Sequence, residues 1–186
     1  MVTVEDYLAL EAAADAKHEY LGGVVHAMAG ATFQHSVIAS NVLGLLVAQL
    51  RGKSCRALSS DFKIRIKLGT QSQFYYPDAS VVCTPVSPGD VFHDDPVVVV
   101  EVLSPSTRRI DLGEKKDTYL SLPSLLAYIV IEQESPAVIV FRRVENRFVR
   151  EVCARFESTI SLPEIDATLP LDQVFDSAEF PPERSE

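Results

Sequence analysis

Phe74-Tyr-Tyr-Pro-Asp-Ala-Ser-Val-Val82 and Val97-Val-Val-Val-Glu-Val-Leu103 decide how this chain is read. Each is a strand-length run of β-branched and aromatic residues. Each is interrupted by one carboxylate, Asp78 in the first and Glu101 in the second. Burying a lone carboxylate costs on the order of several kcal/mol unless it is paired, hydrogen-bonded or bound to a metal. Two such strands suggest acids that meet at a cation, and Mg²⁺ takes one or two carboxylates together with water and substrate phosphate. The plainer reading places each acid at a strand end, facing solvent or a structural arginine.

The flanking sequence alternates between helix and strand signals. Thr3 with Asp6 reads as a helix cap, with Tyr7, Leu8 and Leu10 supplying the apolar residues of a short first helix. Tyr20–Val25 reads as a hairpin turning at Gly22-Gly23. Apolar residues at helical spacing from Gln34 to Leu50 predict one amphipathic helix. Strands are expected at Cys55–Leu58, Phe62–Leu68, Tyr75–Val82, Val97–Leu103, Tyr128–Ile131, Ala137–Arg143 and Phe148–Val152. Asp111-Leu-Gly-Glu114 resembles a capping box opening a helix that runs to about Leu120. That placement puts Lys115 and Tyr119 on one helix face and turns Lys116 elsewhere. The expected architecture is a single α/β (α+β) domain over 1–175, a mixed central β-sheet flanked by helices, followed by an acidic tail over 176–186.

The net charge of −9 argues against a protein that coats nucleic acid. Residues 151–186 hold 9 acids and 2 bases, however, while residues 1–150 hold 17 acids and 15 bases and are close to neutral. Lys63, Arg65 and Lys67 alternate with Phe62, Ile64, Ile66 and Leu68, which places the three bases on one strand face. They read either as a solvated face or as a stripe that contacts phosphates. Cys55, Cys83 and Cys153 are odd in number and lack metal-type spacing, so they read as buried cytosolic thiols. The N-terminus shows no signal-peptide pattern, and the longest apolar run, Leu125–Ile131, is far short of a membrane span, so the expected setting is cytoplasmic. Phosphate-binding glycine loops, dinucleotide fingerprints, zinc-protease motifs and nucleophile elbows are absent.

Tyr76-Pro-Asp78, Val100-Glu-Val-Leu-Ser-Pro-Ser-Thr107, Asp111-x-x-x-Lys115-x-x-x-Tyr119, Leu122-Pro-Ser-Leu125 and Tyr128-Ile-Val-Ile131 follow one another in order. Together they resemble the bacterial restriction-endonuclease-like family within the PD-(D/E)XK nuclease superfamily. The similarity extends upstream through His18-Glu-Tyr-Leu-Gly-Gly23 and His35, and covers residues 3–150. It implies a restriction-endonuclease-like core and Mg²⁺-dependent hydrolysis of DNA, with Mn²⁺ as a substitute. By this resemblance Asp78 and Glu101 are the two metal-binding acids, and Glu19 matches an additional acid brought to the metal. The superfamily lysine lies two residues after the second acid, but that position is Leu103 here. The resemblance transfers the lysine role to Lys115 on the following helix. His35 either contacts phosphate or assists proton transfer near the metal, or is a helix-start histidine hydrogen-bonded to backbone, and Tyr119 either bonds a site carboxylate or simply packs. The resemblance also implies a homodimer, for which the Ala137–Arg143 strand or the first hairpin is the candidate edge.

Three other function classes stay open at this point. An inactive nuclease-fold binding module would tolerate the displaced lysine. A metal-dependent hydrolase of a small phosphorylated substrate would suit the acidic balance. A structural domain would leave both acids internally satisfied.

Overall fold

In the computed structural model, which describes residues 1–28 and 30–180, thirteen strands and five helices alternate along the chain. Helix α1 (Val4–Ala13) is capped by Thr3, whose side chain accepts the Asp6 N–H. Strands β1 (His18–Leu21) and β2 (Val24–Ala27) form a hairpin. Its turn residues Gly22 and Gly23 have φ of 57° and 104°, a backbone region that favours glycine. Helix α2 (Phe33–Leu50) is followed by β3 (Arg56–Ser59), β4 (Lys63–Leu68), β5 (Gln71–Tyr75), β6 (Ala79–Val82), β7 (Phe92–His93) and β8 (Pro96–Val102). Short helices α3 (Arg108–Asp111) and α4 (Glu114–Leu120) lead to β9 (Ala127–Ile131), β10 (Val138–Val144) and β11 (Arg147–Cys153). A small hairpin, β12 (Thr159–Leu162) and β13 (Ala167–Pro170), precedes α5 (Leu171–Val174).

Two sheets carry the fold, one of six strands in the order β11-β10-β9-β8-β6-β3 and one of five in the order β2-β1-β5-β4-β7. Both are mixed, since β8 runs parallel to β9 and β4 parallel to β7. The apolar alternation of β8 explains how the layers meet. Val98, Val100 and Val102 pack with Ile38, Val42 and Leu46 of α2 and with the β12–β13 hairpin. Val99 and Leu103 face the other way, into a second core with Ile64, Ile66, Tyr75, Tyr119 and Tyr128. Glu101 shares the parity of Val99 and Leu103, so it projects into the second core among aromatics.

Several expectations need correction. The run Tyr75–Val82 is two strands in different sheets. β5 ends at Tyr75 in the five-stranded sheet, Tyr76-Pro77-Asp78 crosses over, and β6 begins at Ala79 in the six-stranded sheet. Pro77 has no N–H to offer a ladder, so the break falls there. Asp111 does not cap a helix; it ends α3, and α4 starts after Gly113 with no side-chain cap. Strand β10 lies between β9 and β11, so Ala137–Arg143 is no open edge, whereas β2 is an outer strand. Cys55 and Cys83 are not free thiols. They precede β3 and follow β6, whose antiparallel register brings Arg56 opposite Val82, and they are joined by a disulfide, leaving Cys153 free. Helix α2 is long and apolar enough to cross a membrane by length and composition, but its Ile38, Val42, Leu46 and Leu50 stripe is packed into the core.

Of the proposed tail, residues 176–180 fold back on α2: Asn41 donates to the Asp176 carbonyl, and Gln34 accepts the Glu179 N–H. Residues 181–186 lie outside the described residues.

Candidate active site

The antiparallel register pairs Ala79 with Val100; continued by one residue, it sets Asp78 opposite Glu101. The crossover at Pro77 and the middle of β8 thus bring together two acids 23 positions apart in sequence. Asp78 Oδ2 accepts the Val102 N–H at 2.7 Å and lies 3.3 Å from His35 Nε2. His35 occupies the first turn of α2, whose N-cap Thr32 accepts the His35 N–H. Burial lowers the His35 pKa, but the hydrogen bond and charge of Asp78 and the Val102 carbonyl outweigh it, so the net direction is upward. His35 therefore sits at a helix start, as one of its two readings has it, and also touches Asp78.

Lys115 stands on the other side of Glu101. Its Nζ lies 2.9 Å from Glu101 Oε1, 3.1 Å from Glu19 Oε1 and 3.7 Å from Asp111 Oδ1. Burial would drive the ammonium to deprotonate, but the charges of Glu101, Glu19 and Asp111 prevail and hold it charged, well above the usual lysine range. Tyr119, one helical turn on, donates to Glu101 Oε1 at 3.3 Å, so it is both packed and bonded to a site acid. Glu19 reaches in from β1 and also accepts the Tyr76 N–H at 3.3 Å, which ties the crossover to the hairpin. Lys116 turns away, as its helical position requires, and lies over the Phe141 ring.

Asp111 is the site residue that sequence reading missed, because its spacing to Glu114 imitated a cap. The usable signal was its spacing to Lys115, four residues along one helical face. The break at Gly113 still lets both residues face inward. The Asp111 main-chain carbonyl accepts the Tyr128 hydroxyl at 2.9 Å, which pins the end of α3 to β9.

Three carboxylates, Glu19, Glu101 and Asp111, therefore surround one lysine, and Asp78 stands opposite Glu101 on the side of His35. Burial pushes the Glu101 carboxyl well above its usual range, Lys115 pulls the other way, and Asp111 and Asp78 add to the rise. Asp111 is likewise raised, chiefly by burial. The cluster is short of positive charge. Among the described residues no three His, Cys, Asp or Glu side chains are grouped to hold one ion unaided. An ion bound here would be a hard cation taking carboxylate oxygens of Asp78 and Glu101, with water or phosphate completing its shell.

The bases of β4 do not form one open stripe. Lys63 is buried and donates to the Tyr76 hydroxyl at 3.0 Å, which in turn donates to Glu11. Arg65 makes a two-pronged contact with Asp94, and Lys67 lies 3.3 Å from the same acid. His18 bonds Glu11, and His93 lies buried 3.4 Å from the Ser80 hydroxyl.

Known proteins share the family and the fold of this chain. Residues 4–172 match the Uma2 family, described as "Putative restriction endonuclease". An uncharacterized protein of Synechocystis sp. (strain ATCC 27184 / PCC 6803 / Kazusa), slr1290, is 36% identical over 143 residues, covering 76% of this chain and 74% of that one. A second uncharacterized Synechocystis protein, sll1609, is 27% identical over 150 residues, covering 79% and 84%. The crystal structure of a "putative nuclease belonging to DUF820" from Anabaena variabilis ATCC 29413 superposes with a TM-score of 0.77 at 18% identity, covering 96% of this chain and 100% of that one. With 169 consecutive positions matched to the family and the same architecture in a solved structure, the chain belongs to the Uma2 family and has a restriction-endonuclease-like fold.

Proposed function

We propose that the protein is a divalent-metal-dependent nuclease that hydrolyses phosphodiester bonds in DNA. The observation that carries this reading is the placement of Asp78 opposite Glu101 with the Lys115 ammonium 2.9 Å from Glu101, in a cluster with more carboxylates than cations. A bound Mg²⁺, or Mn²⁺ in its place, would polarise the scissile phosphate and make an attacking water more acidic.

The chain's own groups divide the remaining work. Asp78 uses Oδ2 for the Val102 N–H and for His35, and Oδ1 has no protein donor among the described residues. His35 and the strand thereby fix the orientation of the acid. Lys115 is held in place by three carboxylates and can turn its charge toward a phosphate in the transition state. Glu19 positions Lys115 and the Tyr76 amide, and Tyr119 orients Glu101. The intact acid–lysine set supports an active site over an inactive binding module.

The test is cleavage of linear and supercoiled DNA with and without Mg²⁺ or Mn²⁺. Metal-dependent cutting that disappears in both Asp78→Ala and Lys115→Met is the expected result. Absence of cutting, together with no metal-induced rise in melting temperature, would overturn the reading, because an ion that binds the folded state must stabilise it.

A further inference from the structure

Phe33 is 81% exposed, and apart from Met1 no large apolar side chain among the described residues stands as far out of the protein. It is the first residue of α2, two before His35, at the helix end that approaches Asp78. Folding does not account for it: the buried stripe of α2 runs through Ile38, Val42 and Leu46, and Phe33 lies off that stripe. The backbone beneath it is firmly held. Thr32 donates to Gln133 Oε1, and Gln34 Nε2 donates to the Gln133 and Glu179 carbonyls, so the aromatic ring stands on a fixed base.

A second element that flanks the site, α3, also presents exposed side chains that suit a nucleic acid. The β9–β10 turn that anchors α2 also carries Glu132, which pairs with Arg108 of α3. Next on α3 come the exposed Arg109 and Ile110, the latter 39% exposed, just before the site acid Asp111. A projecting aromatic ring on one element that flanks the site and an exposed arginine on another suit unpaired bases, because stacking works for every base while cations follow the backbone.

We infer that Phe33 is a stacking platform for an unpaired nucleotide base beside the scissile phosphate, which makes single-stranded or locally opened DNA the favoured substrate. The inference rests on the nuclease reading given above and adds the strandedness of the substrate.

The experiment compares wild type with Phe33→Ala, Phe33→Leu and Phe33→Trp on three substrates in Mn²⁺: a single strand, a duplex, and a duplex with a three-base bubble. Sedimentation of wild type and Phe33→Ala is run alongside. Wild type is expected to cut the single strand and the bubble faster than the duplex. Phe33→Ala and Phe33→Leu should lose roughly 10- to 100-fold on the unpaired substrates and much less on the duplex, while Phe33→Trp keeps the preference. A 2-aminopurine base in a single strand should be quenched on binding to Asp78→Asn, and less so when Phe33→Ala is added.

Equal cutting by Phe33→Ala and wild type would overturn the inference and leave the nuclease standing. So would full activity in Phe33→Leu, which would mean apolar contact without stacking. A change in oligomeric state on loss of Phe33 would assign the ring to a second copy of the chain and also overturn it. A wild type that cuts nothing would remove the nuclease reading, and this inference with it.

Discussion

Lys115 and Glu101 meet inside the protein, 2.9 Å apart, with their side chains only 7% and 6% exposed. Such a pair adds little net stability over an apolar pair, but removing one partner strands the other's charge. Lys115→Met should therefore destabilise the fold by about 3–5 kcal/mol in urea titrations. Adding Glu101→Gln should restore part of that loss. If the double variant is as unstable as the single, the two residues are not each other's main partner.

His93 is buried, and burial pushes its pKa down to about 4. The unfolded chain binds a proton at this residue below about pH 6.5, whereas the folded protein resists it until about pH 4. Stability should thus fall as the pH is lowered through that window, by about 3 kcal/mol from this residue. The ring stacks on Phe62 at 5.6 Å, so His93→Phe preserves the packing. Unfolding free energies at pH 4.5 and 7 should differ less in His93→Phe than in wild type; equal slopes would discount the assignment.

The Cys55–Cys83 link closes a loop of 28 residues and ties the outer strand β3 to β6. Denatured, unreduced protein should show one reactive thiol, that of Cys153, and three after reduction. By loop entropy, Cys55→Ser with Cys83→Ser should cost about 3 kcal/mol of stability. Three thiols reacting before reduction would refute the link.

Gly113 separates α3 from α4, and a Cβ there would come within 2.6 Å of the Arg109 carbonyl oxygen. Gly113→Ala should cost about 1–3 kcal/mol by forcing the two helices apart. Because Asp111 and Lys115 flank the break, cleavage at a temperature where the variant is fully folded should fall as well. Unchanged cutting would show that the spacing of the two helices is not critical for the site.

The acids were legible because their chemistry conflicts with their surroundings: Asp78 and Glu101 interrupt apolar runs, and only a specific partner justifies that. Helix α2 and the β1–β2 hairpin were legible from local signals, a 3.6-residue period and a Gly-Gly turn. The change of sheet at Pro77 was not, since one continuous apolar run serves equally for one strand or for two strands in different layers. Asp111 was hidden because an acid three residues before a glutamate satisfies a capping pattern whether or not it caps. Lys63 was misplaced because strand alternation gives a face but not what covers it, and here Tyr76 covers it. The pairing of Cys55 with Cys83 depends on the β3–β6 register, which no local pattern announces.

The contact between Glu19 and Lys115 joins residues 96 positions apart, one on the hairpin and the other on α4. During synthesis the chain carries Glu19 and then Asp78 and Glu101 for some time before Lys115 emerges, and β9, which flanks β8, comes later still. No fragment ending before α4 holds the complete set. Whatever chemistry the cluster performs is therefore withheld from the nascent chain and becomes available only when both sheets have closed around it.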